Sequence, residues 1–244
     1  MDRRCDPARI AEVIRELDAD IVALQEVDSR RCWRDRHPFD QFEYLAEATG
    51  MEPLPGQNII THRGCFGNVL LTRLPVSGVK RRDISVDRRE PRGVIAAQLA
   101  AGPHRLNVIA THLGISLRER RRQVAKLMDM VEAGLDAADG LVLLGDLNEW
   151  RRTGGSLAPL AGKLRPAPAL ASFPGWRPIL PLDRIFVAGR IRVHSVKAHR
   201  SRLAWMASDH LPVRAEMEWG AKPAAELKPA TGVAMDDESL AHRD

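Results

Sequence analysis

The chain has 244 residues, of which 44% are hydrophobic and 28% charged, the make-up of a folded globular domain and not of a disordered or fibrous chain. There is no run of eighteen apolar residues and no basic stretch with an apolar core after Met1, so neither a transmembrane nor a secretory segment is expected and a cytoplasmic location is the default. A net charge of +5, carried mainly by arginine, permits an anionic partner without requiring one, and three scattered cysteines, Cys5, Cys32 and Cys65, exclude a disulfide framework and a CxxC zinc site.

Taken in order, Asp6-Pro7 reads as an N-cap followed by proline at the first helical position. Ile10, Val13, Ile14 and Leu17 then fall on one helical face. Ile21 to Leu24 is a short buried strand ending in Gln25-Glu26, and residues 28 to 38 are charged and irregular. A short helix around Phe42, Leu45 and Ala46 is stopped by Gly50 and Pro53. Asn68 leads into the strand Val69 to Thr72, where a turn role for its side chain is the first expectation. Beyond the basic stretch Lys80 to Arg92, two strands, Val94 to Leu99 and Leu106 to Ala110, form a hairpin through Gly102-Pro103. The second strand ends in Thr111-His112-Leu113-Gly114.

Ser116 and Glu119 then form a capping box for a helix whose apolar face is Val124, Leu127, Met128, Val131 and Leu135. Arg118, Arg120, Arg121 and Arg122 crowd its first turns and read as a solvated basic face. Leu141 to Leu144 reads as a strand buried on both faces. It stops at Gly145, and Asp146 and Asn148 follow two apart, a spacing that points both to one side if the chain stays extended. A Gly/Pro/Ala-rich loop covers 151 to 181, long enough to shape a substrate. Strands follow at Leu182 to Val187, Ile191 to Val196 and Leu211 to Trp219, with Asp183 at the start of the first and Ser208-Asp209-His210 before the last. Residues 221–244 have no apolar period and read as a disordered tail, leaving one domain over 1–220.

Glu26, His112 and Asp146 thus follow strand ends, whereas Asp183 and Asp209-His210 sit where strands begin. If the two groups of strands run antiparallel, all of these side chains meet on one rim. The set Gln25-Glu26, Thr111-His112-Leu113, Gly145-Asp146-Leu147-Asn148, Leu182-Asp183-Arg184-Ile185 and Ser208-Asp209-His210 resembles the successive motifs of the endonuclease/exonuclease/phosphatase (DNase I-like) superfamily. The resemblance covers roughly residues 8 to 219.

It implies an α/β fold, a four-layer α/β/β/α sandwich of two mixed β-sheets, and a monomeric phosphoesterase that uses Mg²⁺ or Mn²⁺. It also implies that Glu26 ligates the metal with Asp209, that Asp146 orients or deprotonates water and that Asn148 binds the phosphate. His210, paired with Asp183, would face that phosphate. His112 matches the second histidine of the DNase I-like branch. Asn68, Arg89 and Arg92 are further candidates for substrate contact. Nucleic acid, a phospholipid headgroup and a small phosphodiester all stay open as substrates. An abasic-site repair enzyme is disfavoured, because that branch carries a tyrosine motif where this chain has Thr111-His112-Leu113-Gly114. A catalytically weak phosphate- or nucleic-acid-binding member is the alternative. The superfamily also opens with a strand ending in asparagine, whereas Met1-Asp2-Arg3-Arg4-Cys5 leads straight into the first helix. Upstream in-frame codons for such a strand are therefore expected.

Overall fold

The computed structural model describes residues 6–29, 33–34, 37–38, 40–62 and 64–221. Its elements are α1 (Pro7–Leu17), β1 (Ile21–Asp28), β2 (Trp33–Arg34), β3 (His37–Pro38), α2 (Gln41–Thr49), β4 (Glu52–Thr61), β5 (Gly64–Thr72) and β6 (Val76–Asp83). They continue with β7 (Gly93–Ala101), β8 (His104–Thr111), α3 (Leu117–Ala137), β9 (Gly140–Asp146), a 3₁₀ turn (Gly155–Leu157), α4 (Ala158–Lys163) and β10 (Arg165–Pro166). The last are β11 (Asp183–Gly189), β12 (Ile191–Ala198), α5 (Arg202–Ala207) and β13 (Val213–Trp219).

The apolar run Leu141 to Leu144 lies well inside a six-stranded sheet of order β10-β11-β9-β8-β7-β6. Its residues alternate between two cores, as a strand's period of two demands. Leu141 and Leu143 pack with Val124, Leu127 and Val131 of α3, on one face. Val142 and Leu144 pack on the other face, with Leu70 of β5 and Met217 of β13. Each such side chain, fully buried, contributes about 1.5–3 kcal/mol. β8 and β9 are parallel, so their link must cross over, and α3 is that crossover. Every other pairing in this sheet is antiparallel.

Across the second core lie β1-β5-β4 and β12-β13. They are roofed by α1 and α2 through Ala11, Ile14, Phe42 and Leu45, and by α5 through Val13, Leu17, Ala204 and Leu211. The chain is therefore the expected four-layer α/β/β/α sandwich. Among the described residues β1 pairs only with β5, and β13 only with β12. Between these two strands runs a groove of about 1410 Å³, floored by Val142, Leu144 and Ile185 and covered by α1. At one end it opens on Glu26, Asp183, Asp209 and His210.

The structure differs from the sequence reading at several elements. α2 stops at Gly50 as read, but a strand not foreseen, β4, follows at once and contains Pro53 and Pro55. The strand tolerates both prolines because it is an edge strand of its sheet. The basic stretch from Lys80 begins inside β6, also an edge strand, where charge discourages further pairing. Asn68 is buried inside β5 and not in a turn. Arg120 is not solvated: it is 1% exposed and bonds Ser156 Oγ, the carbonyls of Gly114 and Ile115, and Glu149. The span 151 to 181 carries the 3₁₀ turn, α4 and β10, so it is a partly ordered excursion. The tail beyond Ala221 and the residues before Asp6 lie outside the described residues. Among the described residues no helix is long and apolar enough to cross a membrane.

Candidate active site

Asp146 ends β9, and its direct partner across the antiparallel ladder is Asp183, the first residue of β11. The antiparallel arrangement anticipated from the sequence is thus built into one strand pair, and it sets two carboxylates side by side. On the other side of β9, Gly145 lets the strand lie close against the end of β8. Its φ is +140°, and a Cβ there would lie 1.9 Å from the Thr111 carbonyl oxygen. Gly145→Ala is therefore expected to destabilise the fold by about 3 kcal/mol or more. An unchanged melting temperature would show that the strands can part here.

Past Asp146 the chain is not extended. Asn148 is left-handed, with φ 50°, and its N–H donates to Asp146 Oδ1 at 2.9 Å, an Asx turn. Asp146 and Asn148 still meet, but the turn brings them together and not strand alternation. Asp146 Oδ2 is left facing two imidazoles, His112 Nε2 at 3.4 Å and His210 Nε2 at 3.9 Å.

The two histidines are held in opposite charge states. His210 Nδ1 pairs with Asp183 Oδ2 at 2.8 Å, and its ring lies 4.9 Å from that of Phe173. Burial works against the cation, but the hydrogen bond to Asp183 and the charges of Asp183, Asp146 and Asp209 raise His210 to about 9. His112 is 3% exposed. Burial, with the positive charges of Arg92 and His210, holds it down to about 3, so it stays neutral. Arg92 Nη1 lies 2.8 Å from His112 Nδ1, and a guanidinium can only donate. That leaves the proton on Nε2, the nitrogen facing Asp146. Asn148 Nδ2 donates to the Leu113 carbonyl at 2.8 Å and lies 3.2 Å from His112 Nε2. Burial, reinforced by Asp183, pushes Asp146 up to about 6, although His210 and the Asn148 amide pull it down.

Glu26 reaches the rim through a break in β1. The β1–β5 register shifts between Leu24 and Val27, and Glu26 is left-handed with φ 56°, a bulge that re-aims a side chain. Lost hydration raises the Glu26 carboxyl; Arg92 opposes this, while Glu90 and Asp209 raise it further. Asp209 is exposed at the mouth of the groove, and its carbonyl accepts from the Gly175 N–H at 2.6 Å.

The remaining predicted positions divide. Arg92 is buried and clamps His112, with Glu90 at 3.2 Å. Arg89 lies exposed on the turn that precedes it, its N–H bonded to the Val86 carbonyl. Asn68 Nδ2 bonds the Gly93 carbonyl at 3.4 Å, joining the two sheets beneath the rim. Sequence reasoning missed the support behind Asp146 and Asn148. Glu149, 2% exposed, accepts from Ser156 N and Oγ and from the Arg151 N–H, and Arg120 lies 3.4 Å from it. Glu149 beside Asn148 and Arg120 within a basic run were the available signals.

As donors, Glu26 and Asp209 are hard oxygen ligands. Among the described residues no three His, Cys, Asp or Glu side chains are grouped so as to hold a metal ion. Carboxylate oxygens are the donor type that Mg²⁺ takes, and it keeps several waters.

The family model for the Endonuclease/Exonuclease/phosphatase family matches residues 2–210. The chain belongs to this family. It is 29% identical over 235 residues to the uncharacterized protein YbhP of Escherichia coli, covering 88% of this chain and 90% of that one. A functionally unknown conserved protein from Enterococcus faecalis superposes with a TM-score of 0.73 at 16% identity, over 87% of this chain and 90% of its own. A mannosyl-6-phosphatase from Bacteroides thetaiotaomicron superposes with 0.68 at 18% identity, over 87% and 90%. At these identities the superpositions show the fold alone. For a member of the endonuclease/exonuclease/phosphatase family, hydrolysis of phosphoester bonds is the shared chemistry.

Proposed function

We propose that the chain is a phosphodiesterase dependent on a divalent cation, Mg²⁺ or Mn²⁺. The observation that carries this reading is the convergence of Asp146, Asp183 and His210, in which one carboxylate is held near neutrality in pKa and one imidazole is held cationic. A carboxylate that ionises near neutral pH beside an imidazole that is still protonated there supplies a base and an acid together.

In this reading Glu26 and Asp209 hold the cation. A bound Mg²⁺ would polarise the phosphoryl oxygen and neutralise developing charge. Asp146, ionised above about 6, takes the proton of an attacking water. His210 is kept cationic by Asp183 and offers its Nε2 proton to an equatorial phosphoryl oxygen, where charge accumulates. Neutral His112, fixed by Arg92, holds Asp146 from its other side. Asn148 locks the turn that carries Asp146 and places its amide beside His112, from where it can reach a phosphoryl oxygen.

A soluble aryl phosphodiester, assayed beside phosphomonoesters, plasmid DNA and phospholipid, tests the reading. Hydrolysis is expected only with added Mg²⁺ or Mn²⁺, is expected to vanish in chelator, and is expected to need far more cation in Glu26→Gln. Full activity in chelator would overturn the metal assignment. Activity confined to phosphomonoesters, as the name of the Bacteroides mannosyl-6-phosphatase would suggest, would overturn the diester preference.

A further inference from the structure

Large apolar side chains stand exposed in the segments that carry the residues of the site. Ile115 is 72% exposed, three residues after His112, and Trp150 is 55% exposed, two after Asn148. The two belong to one ledge: Arg120 bonds the Ile115 carbonyl and its Cζ lies 5.8 Å from the centre of the Trp150 ring. On the side of His210, Trp176 is 76% and Ile179 65% exposed. Their loop is pinned to the site by the Gly175 N–H on the Asp209 carbonyl and by Phe173 against His210. Trp205 is also exposed, on the short helix leading into Ser208-Asp209-His210.

Around Ile115, Trp150, Trp176 and Ile179 the interleaved charges are sorted by sign. In residues 114–122, 149–152 and 173–181 the only acids are Glu119 and Glu149, and both are buried. The exposed ionic groups in the same segments are Arg118, Arg121, Arg122, Arg151, Arg152 and Arg177. An exposed apolar collar set in cationic groups suits an anionic interface, where tryptophan settles at headgroup level, aliphatic side chains enter the acyl boundary and arginines meet phosphates. Tryptophan and arginine alone would equally suit nucleic-acid bases. Ile115 and Ile179 decide the matter, since an aliphatic side chain has no face on which a base can stack.

We infer that this collar docks the protein on an anionic phospholipid surface, which makes the headgroup phosphodiester of a membrane lipid the substrate class of the adjoining site. The second clause rests on the phosphodiesterase reading; the docking does not.

Binding is measured in chelator, without turnover, by co-sedimentation with vesicles of phosphatidylcholine alone or mixed with phosphatidylglycerol, and by the blue shift of tryptophan emission. At least about tenfold tighter binding to the anionic vesicles is expected, weakening as salt is raised. Trp176→Ser with Ile179→Ser, and separately Arg118→Glu with Arg121→Glu, should each lower binding about tenfold while circular dichroism and melting temperature stay unchanged. Equal binding to neutral and anionic vesicles, no binding, or indifference to both double variants would overturn the inference. So would a single-stranded oligonucleotide that binds in the same chelator buffer and displaces the protein from vesicles. Docking without hydrolysis of phosphatidylglycerol in Mg²⁺, by protein that does hydrolyse the aryl diester, would leave the surface standing and remove the lipid headgroup as substrate; failure on the aryl diester as well would remove the phosphodiesterase reading.

Discussion

Asp146→Asn is expected to lower the rate of diester hydrolysis by a factor of at least about 10² while leaving the fold intact. The substitution nearly preserves shape, and the Asn148 N–H, which now donates to Asp146 Oδ1, keeps an acceptor if the new amide presents its oxygen. What disappears is the oxygen that faces both histidines. The pH profile gives the sharper test. Asp146 must be ionised to take a proton, so the wild-type rate should rise as pH passes about 6. His210 must be protonated to donate, so the rate should fall as pH passes about 9. The two limbs belong to the coupled cluster as a whole. In Asp146→Asn the acidic limb should be lost and the alkaline limb should remain. A retained acidic limb would assign the base to another carboxylate, with Glu26 the first to examine.

His210→Ala should likewise cost at least about 10² in rate, and its combination with Asp183→Asn is more informative than either alone. Asp183 Oδ2 lies 2.8 Å from His210 Nδ1 and is the strongest of the partners that keep the ring cationic, so its catalytic effect should run through His210. Asp183→Asn should lower the rate and move the alkaline limb to lower pH, because the histidine loses the partner that raised it. Added to His210→Ala, it should change little, as expected for residues that act as a unit. If the two losses simply multiply, Asp183 acts elsewhere, through the Asp146 carboxyl it raises or through the β9–β11 ladder.

Much of this was legible in the sequence because strand ends are. Apolar runs bounded by Gly and Asp marked β9 and β11, and the alternation of Leu141 to Leu144 between two cores is what a doubly buried strand must do. The caps of α1 and α3 were equally plain: Arg9 N–H on Asp6 Oδ1 and Glu119 N–H on Ser116 Oγ are the bonds their residue types announced. The failures share a cause. β4 and β6 are edge strands, where proline and charge are tolerated, so the local signals spoke against strands that the neighbouring strands nevertheless impose. Arg120 looked like part of a solvated run because nothing local shows that Glu149 and Ser156, 29 and 36 residues away, fold back over it. The role of Arg92 as the clamp on His112 was hidden for the same reason, since the contact joins β7's entry to β8's exit. The rim was foreseen as a set of residues, but not the left-handed turns at Glu26 and Asn148 that aim two of them.

The groove between β1 and β13 gives the site a mechanical character. Glu26 stands on one bank, Asp209 and His210 on the other, and Asp183 rises from the floor. Among the described residues no ladder of hydrogen bonds ties the banks to each other, and what those residues contribute to the spacing is the fill of Val142, Leu144 and Ile185 beneath and the hold of α1 above. The acids and the imidazole are in this sense mounted on two jaws, and the gauge between the jaws is kept by apolar volume. A methyl group added or removed on that floor is expected to alter the reach from Glu26 to His210 without touching either residue.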